Sequence, residues 1–217
     1  MQAESRSNLK HYAVLLMLLV IAAGLRFWNL EGAKFLSPDE YRALYQSKFH
    51  TPLFSLLYAV PKMLWGPSEE SIIRFTAALG ILSLLLVYVL AAKIWSARAA
   101  LLSAALLSCS ATHVFFSRSG YPAILLSVLF LAAVTLLLRG IDSERRLSLI
   151  LSAIVLAASP LVYLPAYALL PAMLLSLGFY CYNQNKPTSL ALGYALYLIL
   201  FSLLWWGFSV YAETGAL

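Results

Sequence analysis

The sequence predicts an all-α polytopic membrane protein of about seven transmembrane helices, and three observations carry that prediction. Of its 217 residues, 62% are hydrophobic and only 11% are charged, against about 25% charged in an ordinary soluble domain. The apolar residues fall in consecutive runs, most of them near the roughly 20 residues needed to cross about 30 Å of hydrocarbon. The charged residues sit between the runs, so the net charge of +6 reads as membrane topology and not as a nucleic-acid-binding surface. No polar or low-complexity stretch is long enough for a second domain, and residues 1–217 are read as one transmembrane domain.

The first run, about Tyr12 to Leu25, follows Arg6 and Lys10. A secretory signal begins in the same way. Because the run continues directly into Arg26-Phe27-Trp28, a cation and an interfacial aromatic, the prediction is a retained helix anchored at its outer end. Residues 29–71 then interrupt the apolar pattern with Glu31, Asp39, Glu40, Glu69 and Glu70, more than half of the nine acids in the chain. Inside this loop Ser37-Pro38-Asp39-Glu40 reads as a helix start, with an N-cap, a proline at the first helical position and acids in the first turn. Leu53, Leu56, Leu57 and Val60 recur at helical spacing after Pro52 and predict a second short helix. Neither is long enough to cross, so both are placed flat on the membrane surface.

Further spans are expected at about Ile72 to Ile94, Ala97 to Phe116, Pro122 to Leu138, Leu147 to Ala158, Leu164 to Tyr182 and Leu190 to Tyr211. Pro160, Pro165 and Pro171 predict a kinked hairpin between the fifth and sixth. Along the third, Ala100, Ala104, Ser108 and Thr112 form a row of small residues that lets a neighbouring helix approach closely. Arg6, Lys10, Lys93, Arg98, Arg139, Arg145, Arg146 and Lys186 share one side of a seven-span chain. That side is therefore cytoplasmic, with the N-terminus, and the loop of residues 29–71 is extracytoplasmic. Cys109 and Cys181 form no metal or disulfide pattern.

These spans gather polar residues on the outer side: Asp39, Glu40 and His50 in the loop, His113, Arg118 and Tyr121 between spans three and four, and Tyr163 near the kinked hairpin. Ionisable groups at a membrane boundary are functional candidates. Adjacent carboxylates supply a general base, and an arginine holds a phosphate by paired hydrogen bonds. Each residue also has a plainer reading. Asp39 and Glu40 favour a helix N-terminus through its dipole, Arg118 suits snorkelling at the interface, and His50 and His113 suit hydrogen-bonded structural roles.

The order of the pieces adds a resemblance. Arg26-Phe27-Trp28-Asn29-Leu30, then Pro38-Asp39-Glu40, then His50-Thr51-Pro52-Leu53, then Ile73-Arg74-Phe75 resembles the polyprenyl-phosphate-sugar glycosyltransferases of the GT-C class. The segment from Thr112-His113 through Phe115-Phe116 and Arg118 to Tyr121-Pro122 is similar to the one joining spans three and four in that class. Protein O-mannosyltransferases and the aminoarabinose transferases of lipid A are the members it looks most like. Members usually run longer than this chain, and His50-Thr51-Pro52 stands where paired prolines are common.

The resemblance implies transfer of a sugar from a polyprenyl-phosphate donor to an acceptor hydroxyl on the extracytoplasmic face of a cell membrane, expected to be a bacterial inner membrane. It makes Asp39, with Glu40 beside it, the catalytic carboxylate, and it implies inversion at the anomeric carbon. Arg118, Tyr121, His50, His113 and Tyr163 are the expected substrate-binding residues. The leaving phosphate needs a cation, either Arg118 or a divalent metal whose ligands the sequence does not identify. The expected partners are the lipid-linked sugar, membrane lipid and a partner membrane protein, with no nucleic acid. The alternative is a non-catalytic GT-C-like subunit acting as scaffold or lipid-binding partner, which the short length favours. A small transporter is disfavoured, because the spans hold almost no ionisable residues and no inverted repeat is apparent.

Overall fold

The computed structural model describes residues 2–30, 52–66, 68–143, 145–162, 164–183 and 188–213. Every regular element among them is helical. They are α1 (Gln2–Phe27), α2 (Pro52–Trp65), α3 (Glu69–Ile94), α4 (Ala97–Cys109), α5 (Ala111–Arg118), α6 (Pro122–Asp142), α7 (Arg146–Ala158), α8 (Leu169–Asn183) and α9 (Thr188–Glu213). The helix expected after Pro52 is present as α2. The helix expected to start at Ser37 lies outside the described residues, as do Asp39, Glu40, His50 and Tyr163.

Local chemistry sets the helix limits. Ser68 caps α3 by accepting from the Ser71 amide, and Ser96 caps α4 by accepting from the Ala99 amide, so each satisfies a backbone donor that a helix start leaves unpaired. Glu70 and Arg74, one turn apart at the start of α3, form an ion pair of 2.6 Å in the favourable acid-first order. Gly120, at φ +71°, makes the turn between α5 and α6, a conformation that side chains with a Cβ resist. The prolines after α7 act as expected. Ser159–Leu161 and Leu164–Ala168 are short 3-10 helices, and α8 begins only at Leu169.

The chain divides into two compact units, Met1–Arg42 with Tyr58–Leu131 and Ala43–Leu57 with Ala132–Leu217. In the first, α3 packs against α4 and α5, and α1 packs against α3, α4 and α5. Ala100, Ala104 and Ser108 are buried, as their small-residue spacing predicts for a close helix contact, whereas Thr112, the fourth of the expected row, lies past the end of α4 and is exposed. In the second, α9 packs against α7 and α8. There the Tyr194 and Ser152 hydroxyls lie 2.8 Å apart, and Ser152 donates to the carbonyl of Ala133 at 2.7 Å. Outward positions carry large apolar side chains, including Leu102 and Leu106 on α4 and Leu192, Leu196 and Leu203 on α9.

Glu70–Ile94 and Ala123–Asp142 are each long and apolar enough to cross a membrane. The third expected span, Ala97 to Phe116, is not one straight helix. It is broken at Ser110 into α4 and α5, bent by 61°, and the two together have the length and apolarity of one crossing. His11–Phe27, Arg146–Leu161 and Leu192–Trp205 are apolar but shorter within the described residues.

Candidate functional site

The break at Ser110 is chemically furnished. Ser110 Oγ accepts from the amide of His113, which starts α5 as a new helix. In an unbroken helix the carbonyl of Ser108 would accept from the amide of Thr112. Here it accepts from Arg26 Nη1, at a long 3.4 Å, while the same nitrogen donates to the carbonyl of Ala22 at 3.1 Å. Arg26 is 0% exposed. This differs from the anchor expected at the membrane interface. The side chain turns inward because the broken span offers it an acceptor, while the neighbouring Trp28 does stand outward, at 78% exposure.

Arg26 Nη2 also lies 2.7 Å from His113 Nδ1, and His113 Nε2 lies 2.8 Å from Ser83 Oγ. Arginine has donors only, so Nδ1 must be the acceptor and the ring proton sits on Nε2. His113 therefore donates to Ser83, whose hydroxyl donates in turn to the carbonyl of Gly80 at 2.8 Å. Both ring nitrogens are committed within the protein. Gly80 lets α3 approach this closely: a Cβ there would stand 2.8 Å from Ser117 Cβ and 3.0 Å from Arg26 Nε.

Arg118, the last residue of α5, reaches the end of α1. Its Nη2 donates to the carbonyls of Trp28 at 2.9 Å and Asn29 at 3.2 Å, and Nη1 to that of Leu25 at 3.5 Å. These carbonyls belong to the last turn of α1 and the residues just past it, where no helical partner remains and the helix dipole is negative. The Nε atoms of both Arg26 and Arg118 are buried without a hydrogen-bond partner among the described residues.

Beside the break a cavity of about 200 Å³ is lined by Ser110, Thr112, His113 and Phe116 of the broken span and by Ala123, Ile124 and Ser127 of α6. Phe116 packs edge-on against Tyr121, ring centroids 5.6 Å apart. The first unit thus brings together three of the expected site residues, His113, Arg118 and Tyr121, around α5. No cluster of three histidine, cysteine or acidic side chains able to hold a metal occurs among the described residues. Sequence reasoning missed Ser83 and the burial of Arg26. The available signal was polar groups at Ser83 and His113 inside apolar runs, where each needs a partner.

Residues 49–206, well over half of the chain, match the dolichyl-phosphate-mannose-protein mannosyltransferase family. The chain belongs to that family. It is accordingly an integral membrane protein of a GT-C-type glycosyltransferase family, one whose members use lipid-linked sugar donors. His50, His113, Arg118, Tyr121 and Tyr163 fall within the matched segment, and Arg26, Asp39 and Glu40 precede it. Neither the curated proteins nor the solved structures yielded a match.

Proposed function

We propose that this protein transfers a sugar from a polyprenyl-phosphate donor to an acceptor hydroxyl at the extracytoplasmic surface, within a seven-span chain whose N-terminus is cytoplasmic. Asp39, with Glu40 beside it, takes the proton from the acceptor hydroxyl as that oxygen attacks the anomeric carbon. The bond from that carbon to the phosphate oxygen breaks on the opposite face, inverting the centre. Negative charge grows on the departing polyprenyl phosphate, and a guanidinium is well suited to meet it.

The observation that carries the proposal is the pair of guanidiniums at the end of α1. The carbonyl end of a helix supplies about half a negative charge. Among the described residues, two whole positive charges there leave an excess of roughly one and a half, which an anionic group would neutralise. In this reading the anion is the phosphate of the lipid-linked sugar, and Arg118 is its proposed contact; family membership supports a lipid-linked donor. His113, Tyr121, Tyr163 and His50 are proposed to shape the surrounding substrate site, His113 by holding its neighbours.

The deciding experiment uses detergent-purified protein with a polyprenyl-phosphate sugar. Asp39→Asn keeps the side-chain shape and loses the basicity, so transfer should fall about 10²–10⁴-fold while the protein still folds. Near-normal transfer by that variant would remove Asp39 from the mechanism. No transfer by the unmutated chain, supplied with donor and acceptor, would favour a non-catalytic membrane subunit.

A further inference from the structure

The two ends of α5 are both tied to the last turn of α1, from opposite directions. At its start, Arg26 reaches out of α1 to the carbonyl of Ser108 and the ring of His113. At its finish, Arg118 reaches back to the carbonyls of Trp28 and Asn29. A membrane interior has no water to satisfy a carbonyl that a break in a span sets free, so a broken span holds only where the protein supplies a partner. For Ser108 the partner is Arg26. The guanidinium is fixed in turn by His113, itself fixed by Ser83, and α3 lies so close that a Cβ at Gly80 would stand 3.0 Å from Arg26 Nε.

We propose that Arg26 is a positioning residue for Arg118: by holding the Ser108 carbonyl and the His113 ring it keeps the third span broken at Ser110. The break in turn sets the final turn of α5, and with it Arg118, on the end of α1. Were the span to straighten, the Ser108 carbonyl would return to the Thr112 amide, α5 would swing through the 61° of the bend, and Arg118 would leave the α1 carbonyls. Lysine cannot replace Arg26 fully, because one ammonium lacks the planar fork that reaches a carbonyl and an imidazole together.

This inference rests on the reading of Arg118 as the contact for the donor phosphate, and the test separates the two. Transfer is measured for purified Arg26→Gln, Arg26→Lys, Arg118→Gln and the double Gln variant over a range of donor concentrations. Removing a charge-assisted contact should raise the donor KM about 10- to 100-fold in Arg118→Gln. Arg26→Gln should raise it comparably and Arg26→Lys by less. The double variant should be no worse than Arg118→Gln alone, because two residues acting through one contact are not additive. Multiplied effects, or an unchanged donor KM in Arg26→Gln, would overturn the proposal.

If the unmutated chain transfers no sugar, the functional reading fails and positioning is read from amide exchange instead. Freeing the Ser108 carbonyl should slow exchange at Thr112 about tenfold or more as the helix closes over the break; unchanged or faster exchange would overturn it. Should Arg26→Gln not fold, His113→Gln loosens the guanidinium while leaving Arg26 in place and carries the same comparisons.

Discussion

Arg26 and His113, 87 residues apart in sequence, meet through a hydrogen bond of 2.7 Å from the guanidinium to Nδ1. That contact fixes the imidazole tautomer, commits Nε2 to Ser83, and joins α1, α3 and α5 at the break in the third span. Its energetic consequences are measurable one residue at a time.

Ser83→Ala deletes the acceptor of the His113 ring proton and leaves that N–H buried. Unfolding in detergent should show a loss of about 1–3 kcal/mol. Ser176, whose exposed hydroxyl donates to the carbonyl of Ala172 in its own helix, is the control. Ser176→Ala should stay within about 0.5 kcal/mol of the unmutated protein.

Glycines in the two units should respond oppositely to alanine. At Gly80 the new methyl meets Ser117 and Arg26, and overpacking of this kind costs about 1–3 kcal/mol. At Gly193, in α9, it meets nothing within 4 Å, so the better helix propensity of alanine should leave stability unchanged or raise it by up to about 1 kcal/mol. Equal destabilisation at both sites would contradict the close approach of α3 to Arg26.

The Tyr194–Ser152 pair offers a similar comparison within the second unit. Tyr194→Phe removes one hydroxyl and leaves Ser152 still donating to Ala133, for a cost of about 0.5–1.5 kcal/mol. Ser152→Ala strands the Tyr194 hydroxyl in a buried site and should cost more. Thermal unfolding of the two variants and their double mutant reads the difference directly.

The proposed orientation is tested by labelling intact cells with a membrane-impermeant thiol reagent, after replacing Cys109 and Cys181. Lys34→Cys should react and Arg145→Cys should not, because positive residues gather on the cytoplasmic side. The opposite pattern would place the Asp39 loop inside and exclude an extracytoplasmic site.

Much of the fold was legible in the sequence. The helix starts at Ala97 and Pro122 showed in the sequence, and the kinked hairpin showed in Pro160 and Pro165, because the ends of apolar runs and proline stereochemistry act within a few residues. The buried row Ala100, Ala104, Ser108 was legible for the same reason, as spacing on one helix face. The break at Ser110 was not. Its cap, Ser110, stands among Ser108 and Thr112 in a run of small residues, and the same pattern suits a straight helix whose hydroxyls bond to their own preceding turn.

The sequence by itself determined an all-helical membrane chain, the approximate limits of several of its helices, and the gathering of His113, Arg118 and Tyr121 around one short segment. Only the tertiary structure decided that Arg26 is buried, that both nitrogens of His113 are spent on Arg26 and Ser83, and that two guanidiniums share the end of α1. The physical reason is that a cation closing an apolar run has the same local pattern whether it snorkels to water or turns inward. Which way it turns depends on acceptors 82 and 87 residues further along the chain, and they come within reach only when the third span breaks beside it.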